Sequence, residues 1–224
     1  METIAHVEND YTSKFGVPRQ SGLVEELIST VVFEPAYRVA EALRGLEGFS
    51  HIWLIWGFHA TEGAEWSPTV RPPRLGGNQR VGVFATRSPY RPNRIGLSCV
   101  RLLEIRAEAG RGTVLKVSGA DLMNGTPIYD IKPYLPYTDA HPEATGGFTD
   151  RTEKRTLRVR MPERCRKQLP EEKIKALEKI LTQDPRPAYQ QDPERIYAFE
   201  YAGKTIRFRV ADEVLHVVDV TPEG

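Results

Sequence analysis

Seven arginines fall between Ser67 and Leu103 with no aspartate or glutamate among them, in a chain of 224 residues whose formal net charge is only +1. A guanidinium presents a rigid fork of donors that matches a carboxylate or a phosphate. Within T-R-S-P-Y-R-P-N-R, Arg87, Arg91 and Arg94 are punctuated by Pro89 and Pro92, and each proline fixes its own φ and biases the residue before it to extended conformations. A loop stiffened in this way binds an anion at lower entropic cost than a flexible lysine run. The same composition fits a solvated rim, or ion pairs to Glu62, Glu65 or Asp121, so composition alone leaves the use of the loop open.

Three other groupings have chemistry in them. In D-I-K-P, Asp130 and Lys132 alternate with Ile131 and share one face of a strand, either as an internal salt bridge or as a polar binding site with Asp130 as acceptor. His51 and His59 bracket the apolar run F-S-H-I-W-L-I-W-G-F-H, as structural histidines or, for His59, as a contact to substrate. In D-P-R-P-A-Y, Arg186 and Tyr189 offer a phosphate contact and a stacking surface, the pair that single-stranded RNA loops require. The five histidines show no ligand spacing with one another or with Cys99 and Cys165, so no metal site is expected. The two cysteines lie too far apart for a C-x-x-C pair and read as free thiols in a reducing compartment.

No G-x-G-x-x-G, P-loop, H-E-x-x-H or nucleophile elbow is present, which removes the common nucleotide folds. No apolar run approaches the roughly 18 residues that a membrane span needs, and Met1 to Asp10 has neither part of a signal peptide; a cytoplasmic location is expected. With the total charge near zero, RNA would have to meet a local patch, which a symmetric oligomer can extend across its interface.

Short strands are expected at Thr3 to Val7, Leu27 to Phe33, Val81 to Ala85, Ile95 to Arg101 and Pro127 to Tyr134, with Leu102 to Ala107 and Thr113 to Ser118 as a hairpin. Phe49 to His59 reads as a central strand buried on both faces. Pro35 opens a helix on Val39, Leu43 and Leu46. This pattern predicts a mainly β fold, an antiparallel barrel or sandwich, over residues 1–140. A linker is expected at 141–155 and a small α+β unit at 156–224, with a strand at Leu157 to Met161, a helix on Ile174, Leu177 and Leu181, and a closing antiparallel meander.

G-V-F-A-T-R-S-P-Y-R-P-N-R-I-G-L, with V-R-P-P-R-L-G-G-N, F-G-V-P-R-Q, N-G-T-P-I-Y-D-I-K-P-Y-L-P-Y and D-P-R-P-A-Y, closely resembles the TsaA-like family, and the likeness extends over nearly the whole chain. The resemblance implies a non-Rossmann β-barrel methyltransferase, S-adenosylmethionine as methyl donor, and a homodimer with donor sites near the subunit interface. It implies methylation of the exocyclic N6 nitrogen of threonylcarbamoyladenosine, next to the anticodon of a threonine tRNA. By the same resemblance the donor is held by Pro18, Arg19, Gln20, His59, Ala60, Arg87, Leu97, Asp130, Ile131, Lys132 and Pro133. Asp130 and His59 are the candidates to withdraw the proton of the attacking nitrogen, while Arg71, Arg74, Arg91, Arg94, Arg186 and Tyr189 would meet tRNA. Two alternatives stay open: a non-catalytic RNA-binding protein, and a methyltransferase of this fold with another substrate.

Overall fold

The computed structural model describes residues 1–61, 63, 65–152, 156–186 and 192–223 and, at Arg74, the backbone alone. The first eight strands are β1 (Ala5–Glu8), β2 (Ile28–Phe33), β3 (His51–Gly57), β4 (Thr69–Val70), β5 (Val81–Gly82), β6 (Ile95–Glu108), β7 (Gly112–Ser118) and β8 (Pro127–Pro133). Six of them form one sheet in the order β1-β2-β7-β6-β3-β8, which closes on itself because β1 pairs with both β2 and β8. All pairings in the ring are antiparallel. The β1–β8 seam is short, two register pairs, and is extended by the Ile4 amide donating to the Ile128 carbonyl at 2.8 Å and the Val7 amide to the Thr126 carbonyl at 3.0 Å. Closure leaves no edge open to a foreign strand.

The inside of the ring is filled by Val7, Val31, Ile52, Leu54, Val100, Leu115, Val117, Leu122 and Ile128, all essentially inaccessible. Each such side chain contributes about 1.5–3 kcal/mol by leaving water. β3 has neighbours on both edges, but its faces differ. Ile52, Leu54 and Trp56 point inward, whereas His51, Trp53 and Ile55 are half-buried on the outer face. The expected double burial is therefore replaced by alternation, and the aromatic outer residues are explained by their partners: the Trp53 indole N–H donates to Asp139 at 2.9 Å, in the short helix α1 (Pro136–Asp139).

Local expectations shift in two further places. The segment after Pro35 forms three separate 3-10 turns, Pro35–Tyr37, Ala40–Leu43 and Leu46–Gly48, in place of one helix. Val39 breaks the run with an extended φ of −106°, and Gly45 breaks it again at φ +90°. Val81 to Ala85 keeps only a two-residue bridge to β4 before turning into a 3-10 helix. By contrast β6 is one strand of 14 residues that passes through a bulge between Leu102 and Glu104, so the two strands expected there are continuous.

The second sheet has the order β10-β11-β12-β9, built from β9 (Arg158–Arg160), β10 (Tyr197–Tyr201), β11 (Lys204–Ala211) and β12 (Val214–Pro222). β10 to β12 are the antiparallel meander, and β9 joins β12 in parallel. Between β9 and β10 lie α2 (Glu163–Arg166) and α3 (Glu171–Thr182). α3 buries Ile174, Leu177, Ile180 and Leu181 along one stripe and carries Glu171 and Glu172 in its first turn, where the helix dipole favours negative charge. Its core also takes in Tyr11, Val24 and Leu27 from the N-terminal region. The Tyr11 and Tyr201 rings lie 5.4 Å apart, the Phe15 and Phe199 rings 6.1 Å. Gly16 sits at φ +95° against Phe199, where any Cβ would overlap the ring.

At the far end of β6, Glu108 binds Arg106 and Arg111, each at 2.7 Å, with Lys116 at 3.6 Å. The Arg106 hydrogen bond is the main reason its carboxyl titrates below the usual range, and the neighbouring cations add to it. A depressed carboxylate pKa gives stability that is present above the unfolded value and lost as pH falls through the folded one. Glu108→Gln should therefore lower the melting temperature at about pH 7 in low salt, and lower it less at about pH 3 or in about 1 M salt; thermal melts across those conditions check this.

Candidate active site

A cavity of about 420 Å³ opens at the end of the ring where β3 finishes and β6 and β8 begin. Trp56 and Phe58 form one wall, their rings 4.3 Å apart in an edge-to-face arrangement. Ile95, Leu97, Leu122 and Met123 extend the apolar lining. Polar groups enter from two loops, Lys14 to Gln20 on one side and Thr86 to Arg91 on the other. A mostly apolar concavity with a few convergent polar groups is the usual form of a small-molecule site.

One carboxylate, Asp121, lines this cavity among the described residues, against Lys14, Arg19, Arg87, Arg91 and His59. It is reached through a relay. The Trp56 indole N–H donates to Ser98 Oγ at 2.9 Å, and the Ser98 hydroxyl donates to Asp121 Oδ1 at 2.5 Å. Burial pushes the Asp121 carboxyl above its ordinary range, opposed by Ser98, by backbone N–H groups of Asp121 itself and Ser21, and by the Arg87 charge. The segment before it is stitched down: the Gly22 amide donates to the Gly119 carbonyl and the Gly119 amide to the Leu27 carbonyl, both at 2.9 Å. Gly119 holds φ +75°, with the Gly22 backbone 3.2 Å from where a Cβ would stand. On the other flank Asn9 Nδ2 donates to the Leu122 carbonyl at 2.7 Å.

Seven residues named from the resemblance as donor contacts meet here: Pro18, Arg19, Gln20, His59, Ala60, Arg87 and Leu97. Arg87 donates to Gln20 Oε1 at 2.5 Å, joining segments far apart in sequence. Arg19 donates to the backbone carbonyls of Asp184 and Arg186 at 3.0 and 3.2 Å, which brings the start of D-P-R-P-A-Y to the cavity mouth. Asp130, Ile131, Lys132 and Pro133 are not in the lining. Asp130 lies on the outer face of the ring in one row with Ile55 and Leu97, paired with Lys132 at 2.9 Å, so the salt-bridge alternative describes it within one chain. A register shift between Ile55 and Trp56 turns Ile131 toward the core instead. Leu97, 52% exposed, belongs both to that outer row and to the cavity.

The arginines expected to face RNA have varied surroundings. Arg91 lies in the lining, but its guanidinium donates to the carbonyls of Thr86 (2.7 Å) and Val83 (3.2 Å) and lies over the Phe84 ring. Arg94 donates to the Thr61 carbonyl at 2.8 Å, while its own carbonyl accepts from the Phe58 amide. Arg186 is forked onto Asp184 at 2.8 and 2.9 Å, its side chain only 13% exposed. Arg71 is exposed and outside the cavity. The Arg74 side chain and Tyr189 lie outside the described residues. Sequence reasoning missed Trp56, Phe58 and Asp121 as site residues; S-G-A-D at the end of β7 carries a positive-φ glycine, but nothing in that string says which strand it will face.

A closed antiparallel sheet with an aromatic-walled, basic cavity at its rim, and no glycine loop for a pyrophosphate, defines a β-type small-molecule site on a non-Rossmann scaffold. The family model of the tRNA-methyltransferase O N-terminal domain matches residues 6–140, and that of the TrmO C-terminal domain matches residues 154–223. The chain is 41% identical over 229 residues to the tRNA (adenine(37)-N6)-methyltransferase of Escherichia coli, covering 99% of this chain and 97% of that one. It is 43% identical over 226 residues to a putative S-adenosylmethionine-dependent methyltransferase, RcsF, of Pseudomonas aeruginosa, covering 97% and 95%. The crystal structure of TrmO from the same organism superposes with a TM-score of 0.80 at 34% identity, over 99% of this chain and 95% of that one. The chain belongs to the tRNA-methyltransferase O family.

Two substitutions test the site's construction. A Cβ at Gly96 would overlap the Trp56 indole, so Gly96→Ala should cost about 1–3 kcal/mol of unfolding free energy, read in denaturant titrations. Arg91→Ala should cost about 1–3 kcal/mol, because it takes the charged donor from the Thr86 carbonyl, while the Val83 carbonyl keeps the Thr86 amide and hydroxyl, whereas the exposed Arg87→Ala should stay within about 0.5 kcal/mol of the parent.

Proposed function

We propose that the chain is an S-adenosylmethionine-dependent methyltransferase that modifies the N6 nitrogen of threonylcarbamoyladenosine at position 37, next to the anticodon, of threonine tRNA. The observation that carries this reading is the match to a tRNA (adenine(37)-N6)-methyltransferase over 99% of the chain. The cavity fits the donor: Trp56 and Phe58 offer aromatic surface to a purine, and Gln20 and His59 offer polar contacts. When bound, S-adenosylmethionine would supply a methyl carbon open to in-line attack by the nitrogen, with its sulfonium sulfur as the leaving group.

For such a displacement most of the catalysis is positioning. Pro18 to Gln20 and Arg87, tied through the Gln20–Arg87 hydrogen bond, frame the mouth of the cavity. His59 and Ala60 close the side where β3 ends, and Arg87 and Arg19 present charge to the threonine carboxylate or to phosphates. The unit at 156–224 serves as a second tRNA contact beyond the linker at 141–155. This is supported by the Arg19 hydrogen bonds to the loop that begins at Asp184, with Arg186 and Tyr189 on that loop and Arg71 and Arg74 on the first unit as further contacts to RNA. The six-stranded ring acts as the barrel of a non-Rossmann methyltransferase.

We infer a homodimer in which the end of β8, Asp130 to Pro133, with Asp130 and Lys132 on its outer face, completes on one copy the cavity of the other; Leu97, shared by that face and the cavity, supports this arrangement. A tRNA substrate supports a cytoplasmic location for the enzyme.

Transfer of a labelled methyl group from S-adenosylmethionine to threonine tRNA, with and without the threonylcarbamoyl group, tests the reading. Incorporation is expected only into the modified tRNA. Equal incorporation into both would overturn the substrate, and a chain that binds tRNA but shows no heat of donor binding would be a non-catalytic RNA-binding protein.

A further inference from the structure

The attacking nitrogen of a carbamoyl-substituted adenine is conjugated to a carbonyl and is a weak nucleophile. An acceptor for its proton raises its reactivity, and such an acceptor works best with a pKa lifted toward the working pH. The cavity offers one carboxylate among the described residues. Asp130, considered from the sequence as a proton acceptor together with His59, lies outside the single-chain cavity on the outer sheet face, paired with Lys132.

We propose that Asp121 is the proton acceptor for methyl transfer, oriented through the Trp56–Ser98 relay. This rests on the function proposed above. Ser98 has a single proton and gives it to Asp121 Oδ1, because its own oxygen already accepts from the Trp56 indole. The hydroxyl rotor is thereby fixed, and one carboxylate oxygen is held by a donor that cannot turn away. Backbone N–H groups of Asp121 and Ser21 take up part of the remaining oxygen capacity, and the lone pair left facing the cavity accepts the proton on the nitrogen. As that proton moves to Asp121, the nitrogen's electron pair becomes the new N–C bond to the methyl carbon. The C–S pair stays on sulfur, which leaves as a neutral thioether, and Asp121 returns the proton to water after the products depart.

The electrostatics of the cavity suit this task. Burial raises the affinity of Asp121 for a proton, while the Ser98 hydrogen bond and the Arg87 charge keep that rise in check. Lys14, Arg19, Arg91 and His59 are the other basic groups facing the cavity. A group whose folded pKa is raised adds stability below its unfolded pKa and loses that contribution as pH rises through the folded one. At about pH 7 an ionised Asp121 is thus no electrostatic support to the fold, and the isosteric amide keeps an acceptor oxygen for Ser98.

Single-turnover methyl transfer at saturating donor, measured across pH for the full chain and for Asp121→Asn, tests the assignment. The variant is expected to be slower by about 10²- to 10⁴-fold, with donor affinity by calorimetry within about threefold of the parent and an equal or higher melting temperature at about pH 7. The parent rate should rise with pH through the Asp121 titration, and this limb should be missing in the variant. Carboxyl ¹³C NMR of the donor-free protein should show Asp121 titrating above the ordinary carboxylate range. Ser98→Ala, which leaves the carboxylate but removes its donor, should move the acid limb to higher pH. A variant as fast as an active parent, a rate loss explained by weaker donor binding or by unfolding, a limb that Ser98→Ala does not move, or an ordinary Asp121 titration would each overturn the role. A parent that transfers no methyl group at all would overturn the function itself.

Discussion

The hydrogen bond from Ser98 to Asp121 is the constraint on which the site depends. It joins β6 to the segment that leaves β7, and through Trp56 it reaches β3. A half-buried carboxylate is costly to hold in place of water, so it persists only where the surrounding chain supplies donors. Here the support comes from three separate stretches: the Ser98 hydroxyl and the backbone around Ser21 as donors, and Arg87 as a nearby charge. Each belongs to a wall of the cavity. The carboxylate is therefore both a group inside the site and the point at which its walls are tied together.

The arginine stretch divides when its surroundings are considered. Arg91 and Arg94 bond backbone carbonyls at Val83, Thr86 and Thr61, and Arg80 bonds the Thr69 hydroxyl at 2.7 Å. The long excursion between β3 and β6 has little sheet pairing, two register pairs between β4 and β5, and is otherwise held by scattered turn and loop bonds such as Ser67 to Tyr90 and Val83 to Pro68. Unpaired carbonyls inside it need donors, and guanidiniums provide several each. Much of the basic excess thus satisfies the loop itself. Arg87, exposed and bonded to a side chain and not to the backbone, is the member turned toward the cavity.

How far the sequence could be read follows from the same physics. Alternation and turn residues foretold most strands of the ring and the buried stripe of α3, because those signals are local. The helix after Pro35 misled, because Val39, Leu43 and Leu46 have helical spacing but only Leu43 and Leu46 pack against the core, Val39 being 49% exposed, and Gly45 at φ +90° interrupts the run. The double burial of β3 misled because aromatic residues on an outer face look buried until partners such as Asp139 are known. In the site, Gln20 and Arg87 were named by motif and meet in space, while Trp56 and Asp121 became visible only when the antiparallel pairing of β3 and β6 set Trp56 beside Ser98. That juxtaposition depends on strand register, which no single stretch encodes. Asp130 shows the converse: the alternation put it correctly on a strand face with Lys132, but not which face, and a register shift at Ile55 decides that.

The second sheet bears on the cavity through packing and not only through its surface. Tyr11, Val24 and Leu27 are buried in its core, and Gly16 lies so close to Phe199 that no side chain fits between them. The loop from Lys14 to Gln20, one wall of the cavity, is thus anchored between these contacts. Its outer tip is tied down by Arg19 on the carbonyls of Asp184 and Arg186. A wall fastened at both ends by a different sheet cannot adjust independently of it. Any force that a large ligand exerts on the loop at Asp184 is felt within a few residues of Gln20 and Arg87, so contact with the second unit and the geometry of the cavity mouth are mechanically one variable. Small residues and prolines in F-G-V-P-R-Q follow from this: Gly16 permits the close approach to Phe199, and Pro18 stiffens the turn that carries Arg19 outward and Gln20 inward.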